Sequence, residues 1–172
     1  EVIVITGDSA FTTQAIASEV GIIEPEDTRM LRGEDVDKLS DREIVKQVQN
    51  GNRIFARVSP EEKFRIVKSL KDAGEIVAVT GDGANDAPSL KEANIGIAMG
   101  ASATDIAHES ADLVLLDDSC ASIVRAVESG RAIYDNIRRF IIYVLSHNWA
   151  ELVPFFLYTF LGIPLPVLVM QE

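Results

Sequence analysis

Between Thr80 and Ala93 the chain runs TGDGANDAPSLKEA, which sets two carboxylates, Asp82 and Asp86, four positions apart around a Gly-Ala-Asn turn. Directly before it stands Ile76-Val77-Ala78-Val79, an apolar, β-branched stretch followed by Gly, which reads as a buried strand. In open parallel sheets ligands bind beyond the carboxyl ends of the strands, where this loop falls. Two carboxylates on one loop repel each other unless a cation or a shared proton intervenes. Mg²⁺ is the natural cation, because it takes hard oxygen ligands and commonly sits on one or two carboxylates plus phosphate oxygens. The loop therefore points to phosphoryl transfer.

A plainer role for the same residues is a turn that caps a helix, with Asp86 as N-cap before Pro88. A second loop of the same kind tips the balance. Val2-Ile3-Val4-Ile5 is another apolar run that reads as a buried strand, and it ends in Thr6-Gly7-Asp8. Two strands that each end in Thr-Gly-Asp would place hydroxyls and carboxylates along one edge of a single sheet.

The rest of the chain supports that sheet. Strands are predicted at Val2–Ile5, Asp27–Arg32, Ile54–Ala56, Ile76–Val79, Ile95–Ala98 and Leu113–Leu116. Helices are predicted at Phe11–Val20, Asp41–Gln49, Pro60–Ala73, Pro88–Ala93 and Ala103–Glu109. Ser40 and Glu43 stand at capping-box spacing, as do Ser59 and Glu62, with Pro60 in the first helical position. Alternating strand and helix argues for an α/β fold, a parallel sheet covered on both faces.

Composition sets the limits. The chain has 172 residues, enough for an ordinary core, with 47% hydrophobic and 25% charged residues, which excludes disorder. A net charge of −11 argues against nucleic acid as a partner, since that polyanion needs clustered Lys and Arg. The single cysteine, Cys120, forms no intramolecular disulfide, and a reducing, cytoplasmic setting fits. Glu1 stands immediately before a strand with no starting Met, which suggests an excised or incomplete piece.

After Asp117-Asp118 the character changes. Residues up to Arg139 are polar-rich, and Phe140–Leu161 is then a run of about 22 largely apolar residues, long enough as a helix to cross a bilayer. Arg138 and Arg139 at its start place the preceding domain in the cytoplasm by the positive-inside tendency. Pro164-Leu165-Pro166 and the apolar run to Met170 suit a hairpin at the far membrane face. Within the span, Asn148 and Glu151 lie three apart on one helical face, and an ionisable group inside a membrane suggests function. Pro154 lacks an amide hydrogen, so the Ala150 carbonyl loses its helical partner and becomes a third oxygen ligand in reach. His147 reads as a packing or interfacial residue, and the span has no Cys pair for a thiol-bound metal.

These motifs resemble those of P-type ATPases, ion pumps whose phosphorylation domain belongs to the haloacid dehalogenase superfamily. TGDGANDAPSLKEANIGIAMG is similar to their hinge motif and ITGDSAFTTQAIASEVGI to their earlier Thr-Gly-Asp motif. FARVSPEEKFRIVKSL resembles their lysine motif, and DDSCASIVRAVESGRAIYDNIRRFIIYVLSHNWAEL the stalk entering the fifth membrane helix of cation pumps. The resemblance implies a partial Rossmann-like phosphorylation domain over residues 1–118, a stalk over 119–139, a membrane helix over 140–161, and a hairpin with the start of another span over 162–172. It implies ATP as substrate, Mg²⁺ as cofactor, and Ca²⁺, Na⁺, K⁺ or H⁺ as transported cation, with the lipid bilayer and the remaining domains of the same polypeptide as partners.

Roles follow residue by residue from the same resemblance. Asp82 matches the magnesium-binding aspartate, and Asn85 and Asp86 match neighbours that hold phosphoryl oxygens and hydrate the metal. Lys63 matches a lysine that neutralises the transferring group, Thr6 a hydroxyl donor to it, and Gly7 a point of close backbone approach. Asp8 and Arg57 match residues on the nucleotide side. Asn148 and Glu151 match oxygen ligands of calcium and sodium/potassium pumps. The nucleophile's Asp-Lys-Thr-Gly-Thr motif does not occur, so the chain alone is expected to be inactive. Two rivals stand beside this reading: a soluble phosphatase of the same superfamily, and a non-catalytic domain that binds a partner through a dead site.

Overall fold

The computed structural model describes residues 1–100, 102–117 and 119–162, apart from the side chains of Cys120 and Glu151. The expected hairpin with Pro164 and Pro166 lies outside the described residues, and so does Asp118. The chain divides into two compact units, Glu1–Ser119 and Cys120–Glu172.

In the first unit strands and helices alternate. β1 is Val4–Ile5, α1 Ala10–Glu19, β2 Leu31–Arg32, α2 Gly33–Val36, α3 Asp41–Gln49, β3 Ile54–Ala56 and α4 Pro60–Asp72. β4 follows at Ala78–Gly81, then a single 3₁₀ turn at Ala84–Asp86, α5 at Ala87–Glu92, β5 at Ile95–Ala98, α6 at Asp105–Ser110 and β6 at Leu113–Val114. Every strand pair is parallel, as the alternation requires.

The expected single sheet is not what forms. Among the described residues there are two three-stranded sheets, ordered β1-β3-β2 and β4-β5-β6. β1 and β4, the two strands that end in Thr-Gly-Asp, are both outer strands. Beside them lies a groove of about 300 Å³ lined by Ile3, Val48, Leu70, Ile76 and Val77. Outer position also explains a second departure. Val2 and Ile76, expected inside buried strands, are 62% and 81% exposed, and both strands begin two residues later than the apolar runs do. An apolar run marks a strand but not which strand has two neighbours.

β3 is the centre of the first sheet, and its side chains alternate as a pleat demands. Phe55 packs with Ile44, Val45, Val48, Ile66 and Leu70 of α3 and α4, while Ile54 and Ala56 pack with Ala17 of α1 and Ile23. α4 serves both sheets, because Ile66 and Leu70 join that first cluster and Val67 joins Val79, Leu90 and Ala107 around the second. Each of the buried Val, Leu, Ile and Phe side chains stabilises the fold by about 1.5–3 kcal/mol relative to exposure.

Helix starts follow the local chemistry. Ser59 Oγ accepts the Glu62 N–H at 3.2 Å and the Glu62 carboxylate accepts the Ser59 N–H at 2.6 Å, a closed capping box. At α3 the Glu43 carboxylate accepts the Ser40 N–H at 2.8 Å and its hydroxyl at 2.6 Å, and those bonds hold Glu43 below its ordinary pKa. Before β2, Asp27 takes two hydrogen bonds from the Arg29 guanidinium, which bring its pKa down to about 2. Its contribution to stability is therefore full above the ordinary carboxylate range and fades only as pH falls towards 2.

In the second unit α7 is one helix, Cys120–Leu161, 42 residues long with Pro154 inside it. Its segment Ala121–Leu161 is long and apolar enough to cross a membrane, by length and composition, with mean hydropathy 1.3 in its most apolar 18-residue window. Two hydroxyls along it bond back to its own carbonyls, Ser146 to Ile142 at 2.7 Å and Thr159 to Phe155 at 2.9 Å.

Candidate active site

The Ser59 cap fixes the first turn of α4, and Lys63 projects from that turn. Its ammonium donates to Asp86 Oδ1 at 2.7 Å, with Lys63 16% and Asp86 18% exposed. The two residues are 23 positions apart, so this is the tertiary contact that assembles the site. A charge-assisted bond of this length is worth about 1.5–3 kcal/mol.

The plainer role the sequence offers Asp86 is that of a helix N-cap. It does occupy the N-cap position of α5, but its side chain makes no capping bond. The carboxylate turns back instead. Oδ2 accepts the N–H groups of Asp82 and Gly83, both at 3.3 Å, while Oδ1 faces Lys63. Gly81 permits this: a Cβ there would stand 2.5 Å from Asp86 Cβ and 2.8 Å from Oδ2. The carboxylate thus ties its own loop shut and receives the lysine.

Asp82 is held differently. Its N–H is given to Asp86, and its carbonyl accepts the Thr104 N–H at 2.8 Å. The neighbouring Gly81 carbonyl accepts the Met99 N–H at 3.4 Å. The Asp82 carboxylate itself has no hydrogen bond or ion pair among the described residues. A backbone pinned on both sides with an uncommitted carboxylate is a suitable ligand for a hard cation. The strap from Thr104 and Met99 was not foreseen. The signal for it was Thr104 before Asp105, an N-cap placed just after the Gly-Ile-Ala-Met-Gly strand.

The Thr6-Gly7-Asp8 loop continues β1 alongside the segment after β3. Thr6 N–H bonds the Phe55 carbonyl at 3.0 Å, Val58 N–H the Thr6 carbonyl at 3.0 Å, and Arg57 N–H the Asp8 carbonyl at 3.0 Å. The two residues expected on the nucleotide side, Asp8 and Arg57, are therefore brought together. Arg57 has φ 53°, the only positive value at a described non-glycine residue, in the left-handed region that disfavours a side chain. The Thr6 hydroxyl accepts the Asp8 N–H at 3.1 Å and keeps its own proton to donate. A Cβ at Gly7 would meet only the Val58 carbonyl at 3.7 Å, so packing alone does not require glycine there. Asn85 lies in the 3₁₀ turn between the two aspartates.

On α7, Asn148 is exposed, the backbone of Ala150 and Glu151 is helical, and the Glu151 side chain lies outside the described residues. His147 stacks on Tyr143 with ring centroids 6.3 Å apart, in line with a packing role.

The chain is 48% identical over 165 residues to a calcium-transporting ATPase 1 of Bacillus cereus, covering 96% of this chain and 18% of that protein. It is 42% identical over 191 residues to the sodium/potassium-transporting ATPase subunit alpha-3 of Gallus gallus, covering 97% of this chain and 19% of that one. Among solved structures it matches a zinc-transporting PIB-type ATPase in its E2.Pi state, with a TM-score of 0.67 and 32% identity over 94% of this chain and 21% of the other. The chain thus spans about a fifth of the length of the proteins it matches. The pattern of the haloacid dehalogenase-like hydrolases covers residues 1–94, more than half of the sequence, and the chain belongs to that family.

Proposed function

We propose that this chain is part of an ATP-driven cation pump of the P-type, in which residues 1–118 are the later portion of a phosphorylation domain and α7 is its stalk and a membrane helix. The observation that carries this is the Lys63–Asp86 ion pair beside the uncommitted Asp82 carboxylate, with a first-turn helix lysine meeting the loop at the carboxyl end of a parallel strand. Asp82 would hold Mg²⁺, with Asp86 beside it offering its remaining lone pairs to the ion's hydration shell; hard oxygen donors are what that ion takes. When bound, Mg²⁺ supplies positive charge against the phosphate oxygens.

The chain's own residues do the rest. Lys63, aimed by its helix, neutralises charge on the transferring phosphoryl group, and the Thr6 hydroxyl and Gly7 N–H donate to its oxygens. Asn85 offers an amide from the turn between the two aspartates. Asp8 and Arg57 stand on the nucleotide side. The acceptor of the phosphoryl group is an aspartate elsewhere in the polypeptide. In α7, Asn148, the Ala150 carbonyl and Glu151 form part of a path for a hard cation, and Arg138 and Arg139 set residues 1–118 on the cytoplasmic side. A 42-residue helix with an apolar stretch long enough to cross a membrane favours the pump over a soluble phosphatase.

The reading is tested with the full-length protein and γ-labelled ATP. It expects Mg²⁺-dependent label that survives acid and is released by hydroxylamine, as an acyl phosphate is. Hydrolysis of small phosphoesters with no such label would return the chain to the phosphatases. In the same protein, Glu151→Gln is expected to weaken apparent affinity for the transported cation about tenfold or more, the scale of losing one charged ligand. Phosphorylation from inorganic phosphate should survive. Unaltered dependence on Ca²⁺, Na⁺, K⁺ and H⁺ would remove Glu151 from the path.

A further inference from the structure

Gly33 begins α2 and is buried, at a distance in sequence from both Thr-Gly-Asp loops. A Cβ built on it would stand 2.5 Å from the Arg57 carbonyl oxygen, 2.5 Å from Glu62 Oε2 and 2.8 Å from Glu62 Oε1. The Glu62 carboxylate therefore lies directly over a bare Cα, with no room for a methyl group. Neither neighbour yields easily. Arg57 is backbone, held at φ 53° with its N–H on Asp8, and Glu62 Oε2 is the acceptor of the Ser59 N–H at 2.6 Å.

These contacts lead straight into the site. Ser59 and Glu62 cap α4, the Ser59 carbonyl accepts the Lys63 N–H at 2.9 Å, and Lys63 Nζ reaches Asp86 at 2.7 Å. We propose that Gly33 is a positioning residue for Lys63: α2 is the seat on which the β3–α4 turn rests, and its missing side chain sets how far the lysine reaches towards Asp86. This deepens the proposed phosphoryl-transfer reading and rests on it for its kinetic consequence alone.

Lys63 and Lys71 lie on the same helix, and each is paired to an acidic side chain, Asp86 and Glu92. Lys71 thus reports on α4 as a whole and Lys63 on its aim. Trace labelling of the purified full-length protein in detergent with acetic anhydride, read by mass spectrometry, compares the two. In Gly33→Ala, Lys63 is expected to label on the order of 10- to 100-fold faster while Lys71 is unchanged, as loss of one charge-assisted bond predicts. Glu62→Ala removes the same cap with no clash and should give the same selective rise even if Gly33→Ala fails to fold. Glu62→Gln, which keeps an acceptor for Ser59, should restore the protection.

Lys63 unchanged in the folded variants, or Lys63 and Lys71 rising together, would overturn the proposal. The phosphoenzyme assay separates its fate from that of the pump. If full-length Gly33→Ala exposes Lys63 yet phosphorylates at the wild-type rate, the positioning stands and the role given to Lys63 falls.

Discussion

Asp82→Asn in the full-length protein is expected to lower Mg²⁺-dependent phosphoenzyme formation on the order of 10²–10³-fold while leaving the melting temperature within a degree or two of wild type. The first expectation follows from charge: a neutral amide at a pinned position keeps the shape but not the attraction for a hard cation. The second follows from the structure, since the Asp82 side chain has no bond among the described residues to lose. Asp86→Asn gives the contrast. Its carboxylate faces Lys63 and two backbone N–H groups, so this change should reduce both label and stability. Radiolabel incorporation beside thermal melting reads both quantities. Near-normal labelling in Asp82→Asn would sink the ligand assignment, and equal loss of stability in the two variants would contradict the division of labour.

Lys63→Ala should reduce phosphorylation by a similar factor, about 10²–10³-fold, because it removes a positioned cation from the transferring group. From the sequence, a residue on a first helical turn promises little loss of stability. The structure revises that expectation. Lys63 is 16% exposed and bonded to Asp86, so its removal should destabilise by about 1–3 kcal/mol, short of the larger figure for a fully buried pair because Asp86 retains its two N–H donors. The double variant Lys63→Ala/Asp86→Ala should be less destabilised than the sum of the singles. Strict additivity would show that the pair contributes nothing beyond its separate members.

Much of this fold is written locally. Ser59, Pro60 and Glu62 announce α4, Ser40 and Glu43 announce α3, and the apolar runs mark where strands lie. What is not local is harder to see. α2, with four residues, is too short for a periodic signal, and its Gly33 matters only because Arg57 and Glu62 arrive over it from elsewhere. The division into two sheets depends on which edges pair, and an alternating pattern carries no record of that. Asp86 illustrates the same limit at the site. Its position at the end of the 3₁₀ turn suits a cap, yet an ammonium from 23 residues upstream and two N–H groups of its own loop outcompete the helix for the carboxylate. The residue types and spacing identified the chemistry, but the pairing that aims Lys63 is tertiary.

The outer position of β1 and β4 has a thermodynamic consequence. Both Thr-Gly-Asp loops hang from strands that, among the described residues, are bonded on one side only, and fewer ladder bonds mean less to hold a loop in place. Open edges also invite further strands. Any segment that docks against either edge must therefore spend part of its binding free energy on quieting the loop beyond it, and by linkage an ordered loop must favour the docked segment by the same amount. Occupancy of an edge and order in the catalytic loop are in that sense one equilibrium, observable from either end as hydrogen exchange at Thr6 or at Asp82.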